Sequence, residues 1–329
     1  MWALENHTAY AADHCWVRDA DGAEIWIVAV KATYELLPDG STRVAQHQEP
    51  VNAGLVTHAD GISPEHETDL GPQKAATDVW LAGHAWSQNG QPVPHLQVEF
   101  EVGPVARRIN VYGDRHWVGG LVASQPEPFT QMPLTWARAY DGNLPGGAAG
   151  NAAVPGASKA APGPRLLPNL EHPQNLFDRS ASLGVGPIPG HWPQRARHAG
   201  TYDAKWQATR APLQAADLDP RYWQVSTPEQ QVPERLKGGE NVMLLNLTPP
   251  GFAKHGLYRT RIPRLTLGFK THFHDGSSAT SRSVIHNLIL LPDLPALCVV
   301  HHMALPCHPK VNLLDRTVIT EKNRPLDRT

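Results

Sequence analysis

The sequence has few charged residues and no excess of either sign. Asp, Glu, Lys and Arg together make up 18% of the 329 residues, and the formal net charge is −2 at pH 7. Average soluble proteins contain about a quarter of such residues. No basic stripe or Arg-rich run is present. The electrostatic footprint of nucleic-acid-binding proteins is therefore missing, and we expect no nucleic-acid partner.

Long apolar runs and paired cysteines are also lacking. The longest apolar run, Leu288 to Leu291, soon meets Pro292 and is far shorter than the roughly 20 residues of a membrane span. We therefore expect no membrane association. Residues 1–6 have neither a basic n-region nor an apolar h-region, so we expect no signal peptide. Three cysteines cannot all pair, and reduced thiols favour a cytoplasmic location.

Glycine, proline and tryptophan are abundant, with 27, 31 and 10 residues respectively. Frequent glycine and proline residues interrupt regular structure and therefore favour short strands joined by loops. Glu24 to Leu37 is rich in β-branched and aromatic residues, and His95–Val102 followed by Val105–Tyr112 has the pattern of a hairpin. We predict a mainly β fold of antiparallel sheets in a sandwich-like arrangement, with long Gly/Pro-rich loops and one or two short helices.

Further local patterns complete the expected fold. Asn89-Gly90 favours a tight hairpin turn after the apolar run 77–86. The best helix candidate is 201–211, and 217–223 is expected to form one more turn. The polar tail after Asp315 is expected to fray. Other predicted strands are 41–46, 241–247, 264–273, 283–291 and 296–303.

The chain is predicted to form a single domain over 1–329. It would have an N-terminal β part at 1–140, a loop-rich connector at 141–200 and a C-terminal β part at 201–329. Trp192 lies in a Pro/Gly cluster of the connector. It is a candidate interface anchor, although burial in the core is the favoured interpretation for most of the tryptophans.

Two clusters of polar residues could carry chemistry. His272 and His274 alternate along a predicted strand, a spacing that metal sites use, but neither HExxH nor CxxC is present and 18 histidines make such pairs common by chance. His66, Glu67 and Asp69 bring two carboxylates near an imidazole, with Asp78 following. We favour a structural role for both clusters.

Gly113-Asp114-Arg115-His116-Trp117 directly follows a predicted strand. Asp114 and Arg115 could form a buried pair that fixes a turn, with Trp117 packed beneath. A nucleophile elbow, a P-loop and GxGxxG are all absent from the sequence. No catalytic residue and no cofactor are therefore predicted.

Several blocks follow one another along the chain, among them Glu67-Thr68-Asp69-Leu70, Gly113-Asp114-Arg115-His116-Trp117 and Leu167-Pro168-Asn169-Leu170-Glu171. Taken together and in this order, they resemble the bacterial domain-of-unknown-function family 2169, which is found beside type VI secretion genes. The blocks extend over nearly the whole chain, and one element departs from the family pattern, because 150–156 is only a loose version of its "NP.G.G". The residues at motif positions are expected to be structural: Glu67, Asp69, Lys74, Asp78, Gly113, Asp114, Arg115, Trp117, Asp203, Trp206, Arg210, Gln231 and Glu240.

The resemblance implies a non-enzymatic adaptor or chaperone. Such a protein would bind a toxic effector and help to load it onto the VgrG spike or its PAAR tip in a type VI secretion system. Two alternatives remain open. One is a hydrolase or metal-dependent enzyme that uses His66, Glu67 and Asp69 or His272 and His274. The other is a structural component of the secretion apparatus.

Overall fold

The computed structural model describes residues 2–61, 63–118, 122–139, 167–174 and 183–322. Most regular structure in these ranges is β-strand. The strands are β1 (Ala3–Asn6), β2 (Ala11–Arg18), β3 (Glu24–Leu36), β4 (Thr42–Val44), β5 (Val56–Thr57), β6 (Pro64–His66), β7 (Thr77–Leu81), β8 (His84–Trp86), β9 (His95–Val102), β10 (Val105–Tyr112), β11 (Gln131–Pro133), β12 (Leu170–Glu171), β13 (Gln231–Val232), β14 (Asn241–Leu245), β15 (Leu257–Arg261), β16 (Leu267–Phe273), β17 (Ser278–Ser281), β18 (Val284–Leu291), β19 (Ala296–Pro306) and β20 (Leu314–Glu321).

The largest sheet has the order β13-β7-β18-β19-β3-β2, with β4 also paired to β3. Strand β3 is long and almost wholly buried because its β-branched and aromatic residues fill both faces. It pairs antiparallel with β19 from Glu35↔Ala296 to Ile25↔Pro306. Strand β7 pairs in parallel with β18, so this sheet is mixed.

Two further sheets extend the fold. One has the order β12-β10-β9-β14-β15, and the other β1-β20-β16-β17. The hairpin of β9 and β10 has the predicted bounds, and its turn uses Gly103 at a φ of 54°, a conformation that L side chains rarely adopt. Val98, Phe100 and Val102 of β9 are buried while their polar neighbours face outward. Two-stranded pairings join β11 to β8 and β5 to β6.

The main hydrophobic core receives side chains from all three large sheets, among them Val30, Phe100 and Phe269. Two of these sheets are also joined by a buried polar contact. Trp26 Nε1 in β3 donates to Thr317 Oγ1 in β20 at 2.9 Å, and the same hydroxyl lies 2.8 Å from Thr271 Oγ1 in β16. The predicted mainly β, sandwich-like fold with antiparallel sheets is confirmed.

The helices of the described ranges are all short. They are α1 (Trp136–Ala139), α2 (Pro193–Ala196), α3 (Ala204–Thr209) and the 3₁₀ segments Pro220–Trp223, Pro228–Gln230, Lys254–Gly256 and His308–Leu313. The prediction of a short helix within 201–211 is confirmed by α3, and the turn expected at 217–223 is the first 3₁₀ segment. No helix in this part of the chain has the length and apolarity needed to cross a membrane.

Two local predictions are wrong. The segment after Asp315 does not fray up to Glu321, because β20 lies between β16 and β1 and buries Thr317 and Ile319. Asn89-Gly90 does lie in a turn, with Gly90 N–H donating to Ser87 O at 3.2 Å. Strand β8, however, pairs with β11 rather than with β9. A turn signal fixes a change of direction but not the identity of the partner strand.

The predicted N-terminal and C-terminal β parts share their sheets. In the largest sheet β18 and β19 from the second part lie side by side between β7 and β3 from the first, and β9 pairs with β14. Much of the predicted connector, 141–166 and 175–182, lies outside the described residues. Its remaining part buries Trp192 against Trp136, with ring centroids 5.2 Å apart. Burial is therefore the correct interpretation for Trp192.

Candidate functional site

Five buried polar side chains form one network beneath the largest sheet. Lys31 Nζ donates to Asp69 Oδ2 at 3.1 Å, and Lys74 Nζ donates to Asp78 Oδ2 at 2.7 Å. Asn287 of β18 joins the two ion pairs, because its Nδ2 donates to Asp69 Oδ1 at 3.1 Å while its Oδ1 accepts from Lys74 Nζ at 2.6 Å. Each of the five residues is at most 5% exposed. Charged side chains that are buried this completely must be paired with an opposite charge and hydrogen-bonded.

Asp78 also holds the segment that follows the 3₁₀ turn at 220–223. Its Oδ2 accepts from the backbone N–H of Val225 at 2.9 Å, and its Oδ1 accepts from the backbone N–H and hydroxyl of Ser226 at 3.1 and 2.6 Å. Gln224 Nε2 donates to the same Oδ1 at 3.1 Å. A carboxylate bound by this many donors has little capacity left to contact a substrate.

Glu67 lies in a further buried ion pair, outside this network. Its Oε2 accepts from Arg195 Nη1 of α2 at 2.6 Å. The same guanidinium donates to Ile188 O at 2.6 Å and, through Nε, to Tyr222 O at 2.9 Å. Three separated segments are thus fixed around one arginine. Sequence reasoning missed Arg195, because nothing near it in the chain marks it as the partner of a carboxylate so far away in sequence.

A cleft of about 340 Å³ opens above this ion pair, and we call it the Arg195 cleft. Glu67 and Arg195 contribute to its wall, together with the half-buried rings of Tyr222 and Trp223. Leu55 at the cleft is 43% exposed. The cleft therefore combines an apolar rim with charges that are already paired to each other.

Two stacked imidazoles lie beside the network. The rings of His286 and His302 are 3.7 Å apart and nearly parallel. His286 Nε2 accepts from the backbone N–H of Lys74 at 3.1 Å, and His302 Nε2 donates to Gly71 O at 2.9 Å. Burial lowers the pKa of His302 to about 4 and the pKa of His286 well below its ordinary value. Both rings are therefore neutral at pH 7.

The predicted acid–base cluster is divided among different partners. Glu67 binds Arg195, while Asp69 binds Lys31, Asn287 and the backbone N–H of Asn52. Burial, with a smaller contribution from Lys31, lowers the pKa of His66 to about 4. The two carboxylates thus each bind a buried cation of the protein itself.

The side chains of His272 and His274 do not share one face of a strand. His272 is half-buried in β16, whereas His274 is exposed beyond a register shift at Phe273. His274 Nε2 lies 3.9 Å from Asp315 Oδ1. No group of three or more His, Cys, Asp and Glu side chains with the geometry of a metal site is found in the described part of the chain.

The motif at 113–117 fixes the end of β10. A Cβ on Gly113 would lie 1.7 Å from the backbone oxygen of Glu127, so only glycine fits. Asp114 Oδ1 accepts from Arg138 Nη1 at 2.6 Å, and Arg115 binds Glu171 of β12 and donates to Pro168 O at 2.7 Å. Arg115 is buried as predicted, but Asp114 is exposed.

Trp117, Asp203, Trp206 and Arg210 also contact the backbone of the protein itself. Trp117 forms an isolated backbone bridge with Ala123. Asp203 caps α3 by accepting from the N–H of Trp206 at 2.8 Å, and Trp206 Nε1 donates to Leu213 O at 2.9 Å. Arg210 donates to carbonyl oxygens on both its own loop and the turn after β2.

The last two motif residues lie near β13 and β14. Gln231 Nε2 donates to Ser226 O at 2.9 Å, which closes the loop held by Asp78. Glu240 Oε1 accepts from the backbone N–H of Lys237 at 2.7 Å. The residues at motif positions therefore mostly bind the protein's own backbone or a buried charge.

The comparisons with known proteins give one family. A family model described as "Uncharacterized protein conserved in bacteria (DUF2169)" matches residues 21–302. No curated protein and no solved structure matches the chain. The chain belongs to the DUF2169 family.

Proposed function

We propose that this chain is a non-enzymatic, cytoplasmic adaptor that binds a toxic effector and helps to load it onto the VgrG/PAAR spike of a type VI secretion system. Membership of the DUF2169 family supports the proposal, because the resemblance of the sequence to this family implies a place beside type VI secretion genes. Neither nucleic acid nor membrane is a partner in this proposal.

The observation that carries the proposal is the internal use of the charged residues at motif positions. The side chains of Asp69 and Asp78 have no exposed surface, and those of Lys31 and Lys74 have at most 4%. A general acid or base must come within hydrogen-bond reach of its substrate. Residues sealed in this way determine the fold, which favours a scaffold that binds other proteins.

Exposed apolar side chains provide contacts for such partners. Tyr202 is 50% exposed and packs edge-on against Trp206, with ring centroids 4.8 Å apart. Leu55 and Val56 are also more than two-fifths exposed. Aromatic and apolar anchors on loops are typical of protein interfaces.

The test is capture and delivery in the native host. A tagged chain is expected to co-purify with a toxin encoded beside it and with VgrG or PAAR. A strain that lacks the gene is expected to lose delivery of that toxin while it still fires unrelated effectors. Loss of all firing would instead identify a structural component. Recovery of neither toxin nor spike proteins would contradict the adaptor function.

A further inference from the structure

A second cleft, of about 520 Å³, lies where the ends of two sheets meet the loop after β13. Its walls are the segment 234–237, the residues 265–267 at the start of β16, the residues 282–285 at the start of β18, the buried His301 of β19, and Lys322 directly after β20. We call it the basic cleft. It shares no lining residue with the Arg195 cleft.

The basic cleft carries a strong excess of positive charge. Arg235, Lys237, Arg282 and Lys322 line it against a single carboxylate, that of Glu234. Within the described ranges, none of these four cations forms an ion pair with a carboxylate of the chain. In a protein whose formal net charge is −2, four unpaired cations around one cavity attract an anionic partner.

Arg235 shows that the cleft is built rather than a chance gap. Its φ is 58°, in the left-handed region that side chains other than glycine and asparagine rarely adopt. One end of its guanidinium donates to the backbone oxygen of Lys74, while Nη1 is buried without a hydrogen-bond partner among the described residues. The backbone is thus held in a strained form, and the guanidinium is anchored to the segment that carries Lys74.

The floor of the cleft is apolar. Leu236, Leu267 and Ile285 are buried there, and Val284 is half-buried beside them. Inorganic anions gain nothing from such a floor, whereas an extended peptide can place an apolar side chain on it between two acidic ones. The lining has no Trp, Tyr or Phe on which a nucleic-acid base could stack.

The geometry points to the basic cleft as the docking site for an extended, acidic segment of the effector. Its carboxylates would face the exposed Arg282 and Lys322, and an apolar side chain would lie over Leu236 and Ile285. This assignment of the occupant rests on the adaptor function proposed above.

The binding test uses a fluorescein-labelled, alternating Glu-Leu peptide and the full chain, with fluorescence anisotropy as readout. The double variant Arg282→Glu/Lys322→Glu changes two exposed side chains and is expected to weaken binding about tenfold or more, because rim charges set electrostatic attraction. Lys205→Glu/Arg259→Glu makes the same change of net charge at two exposed positions outside the cleft and is expected to leave the affinity unchanged within about twofold.

Several results would overturn the inference. One is equal affinity of the wild type and the cleft variant for the Glu-Leu peptide. Another is an equal affinity for a Lys-Leu peptide of the same length. A third is a chain that does not bind the Glu-Leu peptide but binds an oligo-dT strand tightly, with a loss of that binding in the Arg282→Glu/Lys322→Glu variant. A near-ultraviolet circular dichroism spectrum identical to that of the wild type verifies that the variant is folded.

Capture from the host separates the cleft from the adaptor function. If both the wild type and the cleft variant co-purify with the effector equally well, the basic cleft is not the docking site and the adaptor function stands. If only the wild type does, both are supported. If the wild type captures no effector although it binds the Glu-Leu peptide through the cleft, the adaptor function fails and the effector is not the source of the acidic segment.

Discussion

At the scale of single residues, Asn287 explains how two ion pairs can share one dry region. A side-chain amide carries both a donor and an acceptor, so it can satisfy Asp69 and Lys74 at the same time. A buried ion pair contributes little net stability compared with apolar packing, but the loss of one partner leaves an uncompensated charge. The network therefore constrains the sequence more than it stabilises the fold.

The first prediction concerns Asp78. Asp78→Asn removes the charge opposite Lys74 and part of the acceptor capacity for Ser226, so the free energy of unfolding is expected to fall by about 3–5 kcal/mol. Urea denaturation measures this change. Asp275→Asn is the control, because its partner Lys310 lies 3.0 Å away in an exposed pair, which solvent screens so that its loss has little effect on stability. Similar losses for the two variants would show that the Asp78 network has no special role.

The second prediction is a loss of stability in mild acid. Burial lowers the pKa of His66, His301 and His302 to about 4 from an ordinary 6.5, and the pKa of His286 falls well below it. Between these values the unfolded chain binds more protons than the folded chain. The stability is therefore fully present above pH 6.5 and is lost as the pH falls toward 4.

Urea denaturation between pH 7 and pH 4.5 measures this loss. Each buried histidine is expected to contribute up to ~1.4 kcal/mol per pH unit in this window. His302→Gln is expected to reduce the slope, whereas replacement of the exposed His47 by Gln leaves it unchanged. A free energy of unfolding that stays constant over this range would contradict the assignment of neutral, buried imidazoles.

At the scale of elements, the sequence predicted strands where local pattern and burial agree. The hairpin of β9 and β10 has the predicted bounds because one face alternates cleanly between apolar and polar residues. Strand β20 was missed because its polar residues, such as Thr317, are buried by hydrogen bonds that only the tertiary structure provides. The partner of β8 was missed for a similar reason, because β11 follows β8 only after the whole hairpin of β9 and β10.

The candidate sites were less predictable than the strands. The charged residues at motif positions were found from the resemblance, but their partners Arg195 and Asn287 lie 128 and 218 positions away from Glu67 and Asp69. No spacing rule connects such positions. The basic cleft was missed as well, because Arg235, Arg282 and Lys322 come from three separate segments and form no run in the sequence.

The third prediction concerns the end of β10. Gly113→Ala would place a methyl group 1.7 Å from Glu127 O, and the required backbone shift is expected to cost about 3 kcal/mol or more. Thermal denaturation measures the loss. Gly54→Ala is the matched control, because nothing lies within 4 Å of its added Cβ, and its effect is expected to stay within about 0.5 kcal/mol. Equal melting temperatures of the two variants would contradict the close approach at Gly113.

At the scale of the whole molecule, the sheets are joined by one core and by a buried hydroxyl. Thr317 Oγ1 accepts from Trp26 Nε1 of the largest sheet and pairs with Thr271 of its own sheet. The indole N–H of Trp26 would be left without an acceptor if the hydroxyl were absent. The contact fixes how the two sheets are aligned, because an indole N–H has only one direction in which to donate.

The fourth prediction tests this contact between the two sheets. Thr317→Val keeps the shape of the side chain but removes the hydroxyl, so the free energy of unfolding is expected to fall by about 1–3 kcal/mol. The near-ultraviolet circular dichroism spectrum, to which Trp26 contributes, is expected to change at the same time. Thr320→Val, at an exposed position of the same strand, is the control and is expected to change neither. An unaltered spectrum and stability for Thr317→Val would rule out a role for the hydroxyl in sheet alignment.

Strands from the two ends of the chain lie in the same sheets, and this determines when each sheet can form during translation. Strand β3 leaves the ribosome early, yet its long partner β19 is made only near residue 300. Until then, one edge of β3 and the parallel edge of β7 remain open to other chains. Because β18 and β19 supply its centre, the largest sheet can be completed only after these two strands have left the ribosome.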